Sequence, residues 1–219
     1  MNLESIYQKL QIQDMNQMQK STYTATENEN DVILLSPTGS GKTLAFLFPV
    51  LRNLRSDVSG IQAMILVPAR ELALQIEQVF KAMGTDFKIS ICYGGHDKKI
   101  EINNFRAAPA LLIGTPGRIA YHLRNNNFDP STIKTLVLDE FDKALELGFE
   151  EDMNFIIEEL ENCSQRLLTS ATAMDKIPDF VGLQNEKIIN FLKIHDSKPN
   201  IQLRKVMTTA EEKLDTLFH

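Results

Sequence analysis

A strand, a glycine-containing loop and a helix follow one another at residues 32–47, and this succession constrains the fold more than any other feature. Val32–Leu35 is a short apolar run, and Ser36–Thr43 reads Ser-Pro-Thr-Gly-Ser-Gly-Lys-Thr before an apolar stretch begins at Leu44. In this context the backbone N–H groups of such a loop, with the N-terminus of the following helix, converge on phosphate oxygens. The sequence therefore predicts an α/β domain built around a phosphate-binding loop.

Every residue of this loop is a candidate nucleotide-binding residue, namely Ser36, Pro37, Thr38, Gly39, Ser40, Gly41, Lys42 and Thr43. Lys42 is expected to reach the β- and γ-phosphates of ATP, and the Thr43 hydroxyl is expected to hold Mg²⁺. Ser36 replaces the glycine that usually opens the pattern, so its backbone must adopt ordinary dihedral angles. The alternative is a glycine-rich turn that only resembles a phosphate-binding loop.

Short apolar runs rich in β-branched residues alternate with longer amphipathic stretches along the chain. The predicted strands are Val32–Leu35, Ala63–Val67, Lys88–Cys92, Leu111–Ile113, Thr135–Leu138, Leu167–Thr169 and Ile188–Ile194. The clearest predicted helices are Thr43–Arg55, Arg70–Met83, Gly117–Asn125 and Glu150–Asn162. Continuous apolar strands separated by helices predict a mainly parallel central sheet with helices on both faces.

Two acidic residues, Asp139 and Glu140, follow the predicted strand Thr135–Leu138. Ligands of open α/β sheets bind at the carboxyl ends of the strands, where these acids would lie. Asp139 is expected to hold Mg²⁺ through water, and Glu140 to orient and deprotonate the attacking water. With Lys42 they form the predicted catalytic set. A pair of merely solvated acids is the alternative.

Composition narrows the functional classes. The net charge of −6 argues against a protein that coats nucleic acid by charge alone. Residues 70–134 nevertheless carry nine Lys and Arg against six Asp and Glu, so a local basic face is compatible with the acidic total. No apolar run approaches the ~20 residues of a membrane span. The two cysteines, Cys92 and Cys163, suggest no disulfide framework, and we expect a cytoplasmic protein.

Asp139-Glu140-Phe141-Asp142 resembles the signature of the DEAD-box RNA helicases of superfamily 2. Other motifs of that family follow in its order: Pro68-Ala69-Arg70-Glu71-Leu72-Ala73, Gly94-Gly95, Thr115-Pro116-Gly117-Arg118 and Ser170-Ala171-Thr172. The resemblance covers about residues 10–172. It implies a RecA-like fold, ATP hydrolysis and RNA as a ligand.

The resemblance also implies residue roles. RNA would be held through its backbone by Pro68, Arg70, Gly94, Gly95, Thr115, Pro116, Gly117 and Arg118. Ser170 and Thr172 would link to Asp142 and couple the ATP state to domain closure. Two alternatives stay open: Arg70 could pair with a carboxylate on its own helix, and Thr115–Pro116 could serve only as a helix cap.

Adenine selection in this family comes from an upstream glutamine, which aligns with Gln19. A glutamine side chain offers a donor and an acceptor that match the N6/N7 edge of adenine. The surrounding motif departs from the family pattern, since its usual upstream aromatic would fall near Asn2; Tyr7 is a candidate substitute. Phe141 replaces the usual alanine of the signature, and Ala69 replaces the usual threonine beside Arg70.

The family also has a second RecA-like domain, which completes the γ-phosphate site and the RNA groove. We expect residues 1–197 to form the first RecA-like domain and residues 198–219 to be a linker and the start of the second. A strand from Ile201 through Met207 and a helix from Ala210 are predicted there. This chain alone is then expected to bind nucleotide with negligible RNA-stimulated turnover.

Three functions remain open at this stage. The first is an ATP-dependent RNA helicase that remodels or unwinds short duplexes. The second is an ATP-gated RNA clamp or assembly factor without unwinding activity. The third is an NTPase that acts on a partner other than nucleic acid.

Overall fold

The computed structural model describes residues 3–174, 176–192, 206–209 and 211–212. Its strands are β1 (Asp31–Leu35), β2 (Ala63–Leu66), β3 (Ile89–Cys92), β4 (Leu111–Gly114), β5 (Thr135–Leu138), β6 (Gln165–Ser170) and β7 (Lys187–Asn190). Its helices are α1 (Leu3–Leu10), α2 (Gln17–Asn28), α3 (Lys42–Asn53), α4 (Arg70–Ala82), α5 (Lys98–Arg106), α6 (Pro116–Arg124), α7 (Phe141–Glu146) and α8 (Glu150–Glu159), with a 3₁₀ turn at Asp179–Val181.

The seven strands form one sheet in the order β3-β4-β2-β5-β6-β1-β7, and every neighbouring pair is parallel. All carboxyl ends therefore meet at one edge of the sheet. The order divides that edge into two halves. The loops after β1, β6 and β5 share one half, and the loops after β2, β4 and β3 share the other.

The sheet is buried on both faces, which explains why its strands read as continuous apolar runs. Helices α1 to α4 pack on one face, where Phe46, Phe48 and Phe80 are fully buried. Helices α5 to α8 contribute to the cluster on the other face, around Phe141 and Ile156. The α/β architecture with a parallel sheet and helices on both faces is as predicted.

The predicted elements agree with the structure to within a few residues, with one clear exception at the last strand. That strand was predicted over Ile188–Ile194, but β7 ends at Asn190. The Phe191 amide still donates to the Leu35 carbonyl of β1 at 2.7 Å, and the side chain of Asn190 then accepts a hydrogen bond from the Leu192 amide at 3.0 Å. Residues 193 and 194 of the predicted strand lie outside the described residues. Helix α8 likewise ends at Glu159 and not at Asn162, because Leu160 leaves helical geometry.

Beyond residue 192 the structure describes only residues 206–209 and 211–212, so most of the predicted second unit stays untested. Of the strand predicted from Ile201, the described residues 206 and 207 are not in a strand. The helix predicted from Ala210 and the boundary after residue 197 lie outside the described residues. Within the part of the chain that the structure describes, no helix has the length and apolar character of a membrane span.

Candidate active site

The three loops on one half of the sheet edge carry most of the predicted nucleotide-binding residues. The loop at residues 36–41 follows β1, Asp139 and Glu140 follow β5, and residues 170–172 close β6. Strand β6 lies between β5 and β1, so the three loops are neighbours. The sheet order thus brings together residues that are more than a hundred positions apart in sequence.

Lys42 is the first residue of α3, and its side chain folds back over the loop. Its Nζ donates to the carbonyl oxygens of Ser36 at 2.7 Å and Pro37 at 3.0 Å. Burial lowers the pKa of Lys42, and the negative charges of Asp139 and Glu140 oppose this effect. The ammonium group therefore lies among carbonyl dipoles and near carboxylates, as a group that binds phosphate oxygens would.

The backbone of the loop meets the demands of close approach to phosphate. Gly41 is the residue before α3 and has a φ of +93°, and a side chain there would collide with Gln19 Nε2 at 2.8 Å. Because Gly41 cannot cap with a side chain, the first-turn N–H groups of α3 have no side-chain acceptor. This helix start suits an anion such as a phosphate group. Thr38 and Gly39 are exposed at the tip, and Thr43 lies in the first helical turn.

Ser36 occupies the first position of the loop without strain, since it is not among the non-glycine residues with positive φ. Its amide donates to the Ser170 carbonyl at 3.0 Å, and its hydroxyl lies 2.5 Å from the Ser40 hydroxyl. The expectation of ordinary dihedral angles at Ser36 is confirmed. The first contact also links the loop to the end of β6, and the second lies within the loop.

Asp139 is almost fully buried at the end of β5. Its Oδ1 accepts a hydrogen bond from the Thr169 hydroxyl, and its amide donates to the Leu66 carbonyl of β2 at 2.9 Å. Burial raises its pKa to about 6, against the opposing effects of the Thr169 hydrogen bond and the Lys42 charge. Hard oxygen ligands such as the Asp139 carboxylate and the Thr43 hydroxyl fit Mg²⁺.

Glu140 caps α7 in a left-handed conformation, with φ 49° and ψ 49°. A non-glycine residue in this region is uncommon and costs energy, and such residues concentrate at functional sites. Its amide donates to the Thr169 hydroxyl at 3.1 Å, so Thr169 contacts both acids. The Glu140 side chain is only partly buried, which suits a group that contacts water.

Asp142 and Thr172 are in contact, as the resemblance implied. The Thr172 hydroxyl donates to Asp142 Oδ2 at 2.7 Å, and the Ser170 hydroxyl donates to the Thr172 carbonyl at 2.6 Å. Asp142 Oδ1 is buried and has no hydrogen-bond partner among the described residues. The end of β6 is therefore tied to the helix that follows the two acids.

Gln19 lies on the phosphate-binding loop, in the first turn of α2. Its Nε2 donates to the Gly41 carbonyl at 3.2 Å, and its Oε1 accepts from the Asn16 amide at 2.9 Å. Asn16 caps α2, and its side-chain Nδ2 donates to the Ser40 carbonyl at 3.1 Å. Gln19 retains one N–H and one lone pair for a base. Tyr7, the candidate substitute for the missing aromatic residue, packs edge-on against Phe48, with the ring centroids 5.9 Å apart, and so joins α1 to α3.

The other half of the sheet edge forms a groove of about 540 Å³. Its lining combines six predicted RNA-contacting residues with four others: Pro68, Ala69, Arg70, Gly94, Lys98, Thr115, Gly117, Arg118, Tyr121 and Phe149. Thr115 precedes α6 and Pro116 begins it, so this pair does form the start of the helix. Neither α4 nor α6 has a side-chain cap, so both helix N-termini can face an anion.

The two arginines of the groove differ in their surroundings. Arg70 is exposed and pairs with Glu71 on its own helix, with Nε 2.6 Å from Oε1, as the alternative interpretation foresaw. An exposed pair of this kind is weak and leaves Arg70 available to phosphate. The side chain of Arg118 is only 9% exposed. Its Nε donates to the Tyr93 carbonyl at 3.1 Å and its Nη2 to the His96 carbonyl, so these two donors face inward. We had expected the guanidinium group to face phosphate; a contact of Arg118 with RNA stays a prediction.

Comparison with known proteins identifies the fold and its motifs together. The family model described as DEAD/DEAH box helicase matches residues 16–180. The chain belongs to this family. The match includes the phosphate-binding loop, both acids and every predicted groove residue.

Individual relatives of this DEAD/DEAH box chain are named as RNA helicases. It is 38% identical over 212 residues to the ATP-dependent RNA helicase DBP4 of Yarrowia lipolytica, which covers 92% of this chain and 28% of the relative. It is 38% identical over 169 residues to the ATP-dependent RNA helicase CshA of Limosilactobacillus reuteri, covering 76% and 34%. The chain thus spans about a third or less of these relatives.

Solved DEAD-box structures have the same fold. A DEAD box protein from Methanococcus jannaschii aligns with a TM-score of 0.80 at 28% identity, covering 98% of this chain and 59% of that one. The DEAD-box helicase Mss116, bound to ssRNA and UDP-BeF, aligns with a TM-score of 0.76 at 30% identity, covering 86% and 42%. The parallel sheet with helices is accordingly a RecA-like domain.

Two departures of this DEAD-box chain from the family pattern have structural explanations. Phe141 is 1% exposed and packs in the apolar cluster around α7 and α8, with its ring 6.4 Å from that of Phe180. The larger side chain therefore enters the core and does not crowd the two acids. Ala69 leaves α4 without the side-chain cap that a threonine could provide.

Several site residues were missed at the level of sequence. Thr169 ends a predicted strand, and only its position next to Ser170 could have indicated contact with the acids. Asn16 was also missed, although it forms a capping box with the predicted Gln19, a pattern that is visible in the sequence as Asn-x-x-Gln. Lys98 and Tyr121 line the groove from polar helices, where the sequence offers no signal that distinguishes them from solvated residues.

Proposed function

We propose that this chain is the first motor domain of an ATP-dependent RNA helicase and that it binds ATP with Mg²⁺ and one half of an RNA groove. The observation that carries the proposal is the division of the sheet edge. The loops after β1, β6 and β5 form one site, and those after β2, β4 and β3 form an adjacent groove. The names of the relatives, which describe ATP-dependent RNA helicases, support the same assignment.

In the nucleotide site, Lys42 and the N-terminus of α3 bind the phosphates, and Gln19 contacts the adenine edge. Bound Mg²⁺ supplies positive charge that neutralises the phosphate oxygens. Asp139 and Thr43 are the residues that would hold it, Asp139 through water. Glu140 orients the attacking water and accepts its proton, which its partial exposure permits.

In the groove, the RNA backbone is bound by the start of α6, at Thr115–Gly117, and by Arg70. The exposed Gly94 and Gly95 allow the backbone to approach closely. Such contacts read phosphate and sugar and not base sequence, which suits an enzyme that acts on many RNAs. Asp142 and Thr172 couple this surface to a second RecA-like domain, which the proposal requires for turnover. The expected cytoplasmic location stays a prediction, which imaging of the tagged protein would test.

The deciding experiment is ATP hydrolysis by the full-length protein with and without single-stranded RNA. We expect strong stimulation by RNA, and strand separation of a short duplex in the presence of ATP. A Glu140→Gln variant is the matched control, since it should bind ATP but not hydrolyse it. Hydrolysis that ignores RNA would refute the proposal, whereas ATP-dependent holding of RNA without strand separation would favour a clamp.

A further inference from the structure

A buried carboxylate lies beneath the groove and is not among the groove residues. Glu101, on α5, is completely buried, and its two oxygens are surrounded by donors. Oε1 accepts from the Tyr93 amide at 3.2 Å and contacts His96 Nδ1 at 3.0 Å. Oε2 contacts His122 Nε2 at 2.7 Å and lies 3.0 Å from Arg118 Nε. One side chain thus joins the β3–α5 loop, α5 and α6.

Both ring nitrogens of His122 have polar partners: Nε2 lies 2.7 Å from Glu101 Oε2, and Nδ1 lies 3.0 Å from Asn127 Nδ2. Glu101 and Arg118 form an ion pair at the centre of this cluster, with Arg118 Nε 3.0 Å from Glu101 Oε2. Buried ions persist only when paired and hydrogen-bonded, so each of these two residues depends on the other.

The cluster holds the loop after β3 on both sides of its two glycines. Gly94 and Gly95 are exposed, and Gly95 has a φ of +88°. Two contacts fix the loop before the glycines, through the amide and the carbonyl of Tyr93. Two more fix it after them, through the ring and the carbonyl of His96. In each of these four contacts the partner is Glu101 or Arg118.

We infer that Glu101 is a positioning residue for the RNA groove: it anchors the Gly94–Gly95 loop and the inward-facing Arg118 so that the loop after β3 and the start of α6 present one fixed surface. This inference rests on the proposed function of the groove. Glu101 itself does not touch RNA, because it is fully buried. Its effect on binding is transmitted through the loop and through α6.

Glu101→Gln tests the role with little change in shape. A glutamine keeps one acceptor oxygen but turns an N–H₂ group toward a site where donors already converge, which breaks part of the cluster. Asp31→Asn is the matched control, because Asp31 is also a buried carboxylate beside an arginine, with its Oδ1 3.8 Å from Arg166 Nη1. It lies at the amino-terminal end of β1, away from the groove. His96→Ala is a milder variant, which removes one contact of a partly exposed residue.

Three measurements on this chain separate positioning from general stability. We expect the Kd for a short fluorescein-labelled oligouridylate, measured at low salt, to rise about tenfold in Glu101→Gln, as lost hydrogen bonds to a charged group predict. The Kd for mant-ATP should stay within about twofold, because the nucleotide site makes no contact with the cluster. The Tyr93 amide should exchange with solvent faster. His96→Ala should also weaken RNA binding and speed exchange of the Tyr93 amide, but by less than Glu101→Gln does. Asp31→Asn should change neither quantity.

The outcomes distinguish failure of this inference from failure of the proposed function. Unchanged RNA affinity and unchanged Tyr93 exchange in Glu101→Gln would overturn the positioning role while leaving the groove intact. If Glu101→Gln does not fold, unchanged values in His96→Ala would overturn it equally. Wild-type protein that binds no RNA would refute the groove, and the positioning role would fall with it.

Discussion

Replacing Asp139 by asparagine should stabilise the Mg²⁺-free protein while removing its response to magnesium. Asp139 is buried, and its pKa is raised from 3.8 to about 6. A shift of this size corresponds to roughly 3 kcal/mol of cost for the ionised carboxylate at neutral pH. Asparagine keeps an acceptor for the Thr169 hydroxyl but carries no charge. We therefore expect the free energy of unfolding at pH ~7.5 to rise by about 1–3 kcal/mol.

The sign of the pH dependence follows from the direction of the shift. The folded protein binds the Asp139 proton more tightly than the unfolded chain, so the contribution of this residue to stability falls as pH rises from about 4 to about 6. The difference in free energy of unfolding between Asp139→Asn and wild type should then be about half as large at pH ~5 as at pH ~7.5. Comparing the two proteins at each pH removes the contributions of other titrating groups.

Denaturant unfolding in the presence of EDTA, at both pH values, measures this difference. Glu140→Gln is the control, since Glu140 is only partly buried and its replacement should change stability little at either pH. Addition of Mg²⁺ to the ATP-bound protein should raise the melting temperature of wild type but not that of Asp139→Asn. A variant less stable than wild type at pH ~7.5, or an advantage that does not vary with pH, would refute the reasoning.

Three further predictions concern the nucleotide site and its coupling. Lys42→Ala should abolish mant-ATP binding without unfolding the chain, and retained binding would show that the ammonium group is dispensable. Gln19→Ala should weaken ATP more than GTP in competition titrations, whereas equal losses would remove Gln19 from base recognition. Thr172→Val should break the 2.7 Å bond to Asp142, so that the full-length protein still hydrolyses ATP but separates RNA strands poorly; unimpaired strand separation would contradict the coupling role.

The elements that carry the proposed nucleotide site could be predicted because their sequence signals are local. The loop at residues 36–43 is one continuous segment between a strand and a helix, and Asp139 directly follows a buried strand. Parallel strands buried on both faces appear as short apolar runs, so β5 could be predicted with its observed ends. Motif order then extended the prediction to the groove.

The helices that tertiary contacts stabilise could not be predicted in this way. Helix α2 is polar and contains three threonines, which favour helices little. It is held by its capping box and by Arg52, which donates to the carbonyls of Tyr23 and Thr26. Partners so distant in sequence leave no periodic pattern. The order of strands in the sheet is equally absent from any local signal.

Glu101 and Arg118 show a different limit. A glutamate in a helix that begins Lys98-Lys99 suggests a solvated face, and only the fold reveals that it is buried beneath Tyr93 and His96. Arg118 was expected to point toward phosphate because of its place in a motif. Motif membership placed Arg118 at the groove but could not indicate that two of its donors face inward.

The hydrogen bond from the Asp139 amide to the Leu66 carbonyl spans the boundary between the two halves of the sheet edge. Two residues after Leu66, the chain reaches Pro68 at the groove. Hydrogen-bonded neighbours in a packed sheet cannot shift far against each other. Under the proposed function, the distance between a bound triphosphate and the RNA backbone is therefore fixed within this domain. Separation of RNA strands would then require movement of a second body relative to this domain.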